Sequence, residues 1–259
     1  MMQLSERQEI ILQRLRDEGG TLSSAVITDL FDVSIQTIRK DLNDLSDLGL
    51  VKRVHGGITL PVQSHNLSFN NRQIINLKAK QAIAQKVAAN IPEGSSLFLG
   101  IGTTPQEIAR ALLGHNHLTV VTNNHNAAIT LCQNANIETY LCGGKLRPSD
   151  QDLMGEDATR FLRKFQVNFG IFGVGGLAEN GALLDFSPEE SHISSAIMDN
   201  SEHRILVADK SKYLRSAPIK TAMLSDIDSF YIDQIPDDLR PVCEASSIDV
   251  IECLTGALS

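Results

Sequence analysis

The side chains of this chain that could do chemistry fall into two groups of different kind. The first is cationic: Arg39 and Lys40 stand side by side in SIQTIRKDLNDL (34–45), and Lys52, Arg53 and His55 follow within LVKRVHGGITLP (50–61). Such charges suit phosphate oxygens, and their neighbours Ser34, Gln36 and Thr37 carry the hydroxyl and amide groups that hydrogen-bond to phosphates or to base edges. The second group is rich in glycine and hydroxyls. GIGTTP (100–105) lets the backbone approach a ligand through its glycines and adds the hydroxyls of Thr103 and Thr104. It is followed by Thr122-Asn123-Asn124, Gly143-Gly144, GVGG (173–176) and ADKSK (208–212), the last with Asp209, Ser211 and Lys212. Together these suit an anion such as a phosphate, with Lys212 to neutralise it. GIGTTP is neither a Walker loop nor a dinucleotide fingerprint.

The cationic group needs a helix beneath it. Ile35, Ile38, Leu42 and Leu45 recur at offsets of three, four and three, which predicts one apolar stripe facing a core and a polar face with Gln36, Thr37, Arg39, Lys40, Asn43 and Asp44 outside. Ahead of it, Ser5 and Gln8 form a capping box for a first helix that Gly19 and Gly20 end. A second short helix from Ser23 or Ser24 is predicted to bury Val26, Ile27, Leu30 and Phe31, and DVS then makes a brief turn. Two short helices joined in this way are a helix-turn-helix. After Gly49, two strands around His55-Gly56-Gly57 would form a wing, whose His55 could contact DNA or simply hold the turn.

Composition limits how this patch can work. The 259 residues are 42% hydrophobic and 21% charged, with net charge −8 from 23 basic and 31 acidic side chains. Residues 1–60 carry seven Lys/Arg and nine Asp/Glu, so neither part is basic overall. Nucleic-acid contact must therefore come from a local cluster rather than from a basic domain. No apolar run is long enough to span a membrane, and MMQLSERQEI lacks a secretory layout, so a cytoplasmic protein is expected. Cys132, Cys142, Cys243 and Cys253 have no metal-binding spacing and are expected as buried thiols, with neither metal nor cofactor.

The glycine-rich group needs strand ends. Residues 61–77 lack clear periodicity and read as a linker between a domain at 1–60 and another at 78–259. From Lys78 onward AKQAIAQKVAANI, TPQEIARALLG and NAAITLCQN read as helices, alternating with the strands SSLFLGI, LTVVT and IETYLCG. That alternation predicts a parallel sheet covered by helices, with ligands beyond the carboxyl ends of the strands. Pro105 would stand at the first position of the helix that GIGTTP opens.

VSIQTIRKDLNDL followed by GLVKRVHGGI resembles the DNA-binding signature of the DeoR family of bacterial repressors, with Lys40 where the family more often has a second arginine. The succession GTTP, TNN, CGGKLR, GEDA, GVGG and ADKSKY resembles the effector-sensing domain of the same family, so the resemblance runs over nearly the whole chain. It implies a winged helix-turn-helix on double-stranded operator DNA, joined to an α/β sensor similar in fold to ribose-5-phosphate isomerase and CoA-transferase-like domains. The implied effector is a small phosphorylated sugar or polyol, with glycerol 3-phosphate foremost on the stretches IGTTP, VTNN and GALL-x-F. Carried over, Gly102, Thr103 and Thr104 bind phosphate, Asn123, Gly143 and Glu190 line the pocket, and Lys212 supplies charge. Two positions depart from the family pattern: Gly100 replaces a common aspartate and Ser194 a common lysine.

The expected role is thus an effector-controlled repressor, not an enzyme, acting as a homodimer or homotetramer on repeated half-sites. The alternative is a sugar-phosphate isomerase with an accessory helical domain, in which Glu190 or Asp185 would be the general base. Loss of a lysine at position 194 weakens it, because an enediolate needs a cationic partner.

Overall fold

The computed structural model describes residues 4–18, 20–61 and 67–253 and divides into two units, Met1–Asn76 and Leu77–Ser259. In the first unit α1 (Glu6–Asp17) starts at the capping box: Ser5 N–H donates to Gln8 Oε1 at 3.0 Å, and Gln8 N–H to Ser5 Oγ at 3.2 Å. Gly19 lies outside the described residues. β1 (Thr21–Ser23), α2 (Ser24–Asp29), α3 (Ile35–Asp47), β2 (Lys52–Val54) and β3 (Gly57–Thr59) follow, and the strands pair antiparallel in the order β1-β3-β2. Ser23 and Ser34 cap the two helices through their hydroxyls. Ile11, Leu15, Ile27, Ile38, Leu42, Leu45 and Ile58 make one buried core.

Several expectations for this unit change. Ile35 does not join the buried stripe: it is 55% exposed, whereas Ile38, Leu42 and Leu45 are at most 2% exposed. A helical side chain leans over the turn that precedes its own Cα, and Ile35, as the first residue of α3, has no such turn to pack on. Val26 on α2 and Leu30 at its C-cap are likewise exposed; α2 is only six residues long and sinks Ile27 alone. Asp41 is buried instead and bonds to Arg7, tying α3 to α1. The wing gains a third strand, β1, and this explains the second glycine of His55-Gly56-Gly57. A Cβ on Gly57 would lie 2.2 Å from the Leu22 carbonyl oxygen, while Gly56 turns the chain at φ +82°. Within the stretch read as a linker, residues 67–77 are not featureless. α4 (Phe69–Ile74) is capped by Ser68, buries Ile74 in the first unit's core, and donates from Asn71 Nδ2 to the Leu48 carbonyl at 2.6 Å. Six residues are too few for a periodic signal. Residues 62–66 lie outside the described residues.

The second unit alternates helix and strand: α5 (Leu77–Ala89), β4 (Ser96–Leu99), α6 (Thr103–Ala111), β5 (Leu118–Thr122), α7 (His125–Leu131), β6 (Ile137–Leu141). A hairpin, β7 (Lys145–Arg147) and β8 (Asp152–Met154), precedes α8 (Glu156–Leu162) and β9 (Val167–Phe172). Then come β10 (Gly176–Leu177), β11 (Ala182–Asp185), α9 (Pro188–Asp199), β12 (Ser201–Ala208), β13 (Ile219–Met223), β14 (Ser229–Ile232), α10 (Arg240–Ala245) and β15 (Asp249–Glu252). Seven strands form a sheet of order β15-β14-β12-β9-β4-β5-β6 in which every pairing is parallel. Strand pleating divides the core: Leu97 and Leu99 of β4 face one layer with α5, α6 and α7, and Phe98 faces the other with α8 and α9. From β4 the chain winds one way through β5 to β6 and, from β9, the other way to β15. The junction of β4 and β9 is therefore the topological switch point, where ligands of such sheets bind. All four cysteines are free, Cys142 and Cys243 buried, Cys253 half-buried and Cys132, contrary to expectation, exposed after the last turn of α7. Among the described residues no helix is long and apolar enough to cross a membrane.

Candidate functional site

On the first unit, the end of α3 that follows the turn is organised by Ser34. Its Oγ accepts the Thr37 N–H at 3.2 Å and lies 2.9 Å from Thr37 Oγ1, so these two hydroxyls serve the helix cap and each other. Gln36, Arg39 and Lys40 project outward and are exposed. Lys52, Arg53 and His55 are also exposed, on β2 and the turn that follows it. Among the described residues none of the four lysines and arginines has an acidic partner. Unpaired cations around an outward amide, on a helix held by Ile38, Leu42 and Leu45, can grip a polyanion and hydrogen-bond to base edges.

The candidate site of the second unit lies at the switch point. Gly100 N–H donates to the Ile171 carbonyl at 2.9 Å, and the missing Cβ of Gly100 faces Ile197 of α9, one turn beyond Ser194. Ser194, the other position that the resemblance marks as a departure, thus lies on the same helix one turn before the residue that Gly100 faces. Gly102, at φ +113°, precedes α6, which starts at Thr103, so Pro105 is its third residue rather than its first. Helix geometry leaves the amide N–H groups of Thr103 and Thr104 without intrahelical partners, at the positive end of the dipole. That is an anion-binding arrangement.

What shapes the loop is Asn124. Its Nδ2 donates to the carbonyls of Gly100 at 3.3 Å and Gly102 at 3.1 Å, and its Oδ1 accepts the Ala127 N–H to cap α7. Asn123, which the resemblance makes a pocket-lining residue together with Gly143, is wholly buried. Its Nδ2 donates to the Leu153 carbonyl at 3.0 Å, fastening β5 to β8, and its Oδ1 has no partner among the described residues. Gly143 is exposed where β6 gives way to the hairpin.

Arg147 is the hub of the charged part of this end. Its guanidinium forks onto Asp152, Nε to Oδ1 at 2.7 Å and Nη2 to Oδ2 at 2.6 Å, and reaches Glu190 Oε1 at 2.9 Å. Glu190 Oε2 accepts the Phe186 N–H at 2.9 Å, so neither oxygen of this buried carboxylate is idle. Asp185 is buried as well, accepting from Gly175 N–H at 3.1 Å and Thr221 Oγ1 at 2.7 Å, and burial pushes its carboxyl up to about 6. Lys212 is half-buried, and its charge acts on Asp185 in the opposite sense. Arg215 stacks 4.9 Å over Phe186 and bonds to the Gly175 carbonyl.

A model of the DeoR-like helix-turn-helix domain matches residues 7–64, and a model of the DeoR C terminal sensor domain matches residues 75–234. The chain belongs to the DeoR family. This DeoR-family protein is 40% identical over 235 residues to the glycerol-3-phosphate regulon repressor of Escherichia coli, covering 91% of this chain and 93% of that one. To the glycerol-3-phosphate regulon repressor of Haemophilus influenzae it is 38% identical over 253 residues, 98% of either chain. The HTH-type transcriptional repressor CsqR of Escherichia coli is 34% identical over 90% of both. Likeness to solved structures is weaker: ribose 5 phosphate isomerase A from Neisseria gonorrhoeae overlaps 52% of each chain at 17% identity and a TM-score of 0.38. The TNN and CGGKLR motifs of this DeoR-family protein contain Asn124 and Arg147 without marking what either does. Asn124 caps α7 and Arg147 forks onto Asp152 within five residues, but the partners that tie them into the site, Gly100 and Gly102 for Asn124 and Glu190 for Arg147, lie 22 to 43 residues away.

Proposed function

We propose that this DeoR-family protein is a transcriptional repressor whose affinity for operator DNA is set by a small phosphorylated sugar or polyol bound at the β4–β9 switch point. The observation that carries the reading is the outward set Gln36, Arg39 and Lys40 on the capped helix α3. Gln36 reads base edges, Arg39, Lys40, Lys52 and Arg53 hold phosphates, and His55 borders the wing turn. In the second unit the free amides of Thr103 and Thr104 take the phosphate, and Lys212 adds charge. Asn123 and Gly143 shape the floor and rim, and Glu190 fixes Arg147. Glycerol 3-phosphate is the first candidate, supported by the names of two relatives. Because a single reading head touches few bases, a homodimer or homotetramer on repeated half-sites is part of the proposal.

Catalysis is not part of it. Ser194 offers no cation to an enediolate, and the carboxylates of Glu190 and Asp185 are each held at both oxygens by partners within the protein.

Fluorescence anisotropy tests the reading, with operator DNA selected from random duplexes by the full-length protein, titrated at fixed salt with glycerol 3-phosphate and other sugar phosphates. Expected are tight binding that resists competitor DNA, an affinity shifted by one of the phosphates, and a loss of about tenfold or more on Arg39→Ala. Failure to select any operator would end the repressor reading, and steady turnover of a sugar phosphate would replace it with the enzymatic one. The sign of the shift is informative, since one relative, 30% identical, is an L-fucose operon activator of Haemophilus influenzae. A ligand that binds both arrangements of the protein equally would shift nothing.

A further inference from the structure

The first turn of α3 offers the groove less than its sequence suggests. Ile38 is 2% exposed, and Thr37 is half-buried with its hydroxyl held by Ser34. What remains outward is Gln36 and, unexpectedly for a branched aliphatic residue, Ile35, which is 55% exposed and takes no part in the first unit's core. Its place as first residue of α3 aims the side chain past the helix end rather than onto a neighbouring turn. That is the end of the second helix of a helix-turn-helix from which residues meet base edges.

We propose that Ile35 is a specificity-determining residue: its aliphatic branch covers the C5-methyl group of a thymine in the major groove, beside the base pair read by Gln36. In that groove thymine alone presents an apolar group, so an apolar side chain at this position has one base to prefer. Contact removes the methyl and part of Ile35 from water, and β-branching leaves Ile35 few rotamers to lose on docking. Gln36 can hydrogen-bond bidentately to the N6 and N7 of adenine. The adjacent pair therefore reads a step made of A·T pairs, one residue by hydrogen bonding and the other by shape. This inference rests on α3 being the reading helix.

The experiment uses the full chain and the selected operator. Each thymine is replaced in turn by deoxyuridine, which removes the methyl group and leaves every hydrogen-bonding group in place. For the wild-type protein, one position in each half-site is expected to weaken binding about fourfold, the worth of a buried methyl group. Ile35→Ala should bind the thymine operator more weakly by a similar factor and lose its sensitivity to deoxyuridine at that position alone, while Ile35→Val keeps part of both. Its exposure predicts an unchanged melting temperature for Ile35→Ala, which separates a lost contact from a lost fold. Wild-type affinity of Ile35→Ala, or a deoxyuridine penalty that persists in it unchanged, overturns the inference. If Arg39→Ala still weakens binding in that case, α3 remains the reading helix and only the role of Ile35 is lost. If Arg39→Ala is also silent, the proposed DNA face itself is wrong.

Discussion

On the winged unit Arg39, Lys40, Lys52 and Arg53 stand exposed without an acidic partner among the described residues, whereas in the sensor unit Arg147 is folded inward onto Asp152 and Glu190. The same kind of side chain is put to opposite uses. An unpaired surface cation adds little to stability but stays free to displace counterions from a polyanion. A cation engaged by buried carboxylates has its charge answered inside the protein, and serves to hold together the strands and helix that carry it. On the proposed reading, then, charge in the first unit is for binding and charge around Arg147 is for shape, while ligand recognition in the sensor falls to backbone amides and hydroxyls near Thr103 and Thr104, with Lys212 adding charge.

The largest effect expected from this contrast is at Arg147. Arg147→Met leaves Asp152 and Glu190 buried without their cation and should destabilise the sensor unit by about 3–5 kcal/mol. Differential scanning calorimetry should show its transition falling by roughly 10 °C. A loss below 1 kcal/mol would break the contrast. Next is Asp185, whose pKa burial raises to about 6. The folded state of such a group binds more protons than the unfolded chain between its ordinary pKa and 6, so stability falls as pH rises through that window. Asp185→Asn should therefore stabilise the sensor by on the order of 1–3 kcal/mol at pH 7 to 8, an advantage that disappears below about pH 4. A pH-independent difference would point to packing rather than charge. The smallest change belongs to Lys52. Lys52→Ala should leave the melting temperature within about 1 °C, weaken DNA binding by less than about tenfold, and lower the slope of log affinity against log salt by about one. An unchanged slope would show that this strand of the wing does not touch phosphate.

Local signals in the sequence served where local physics decides. The capping box Ser5–Gln8, the caps at Ser23 and Ser34, and the limits of β5 at Leu118 and Thr122 all depend on residues within a few positions of one another. The half of the winding sheet from β4 to β6 is legible as alternation of helix and strand. Ile35 was misread because a helical repeat says which residues share a face, not where the neighbouring elements stop covering it. β1 and α4 are too short to show a period, and both are secured by distant partners: Thr21 to Ser23 against Gly57 to Thr59, and Asn71 against Leu48. The same holds for the site. The glycine exits were visible as sequence, but the clamp made by Asn124 and the hub made by Arg147 exist only once β5, the β7–β8 hairpin and α9 have come together.

The sheet order carries a consequence for how the protein is made. Its central pair, β4 and β9, joins residues roughly seventy positions apart, and the edge strand β15 ends only at Glu252. Parallel pairings of such separation close late, because loop entropy is paid before any contact repays it. The winged unit draws on residues up to Asn76 alone. At about 5–20 residues per second of synthesis, it can be folded on the ribosome roughly ten seconds or more before the sheet is completed. A chain interrupted in that interval would carry a finished reading head and no finished sensor, and could hold DNA without answering to any metabolite.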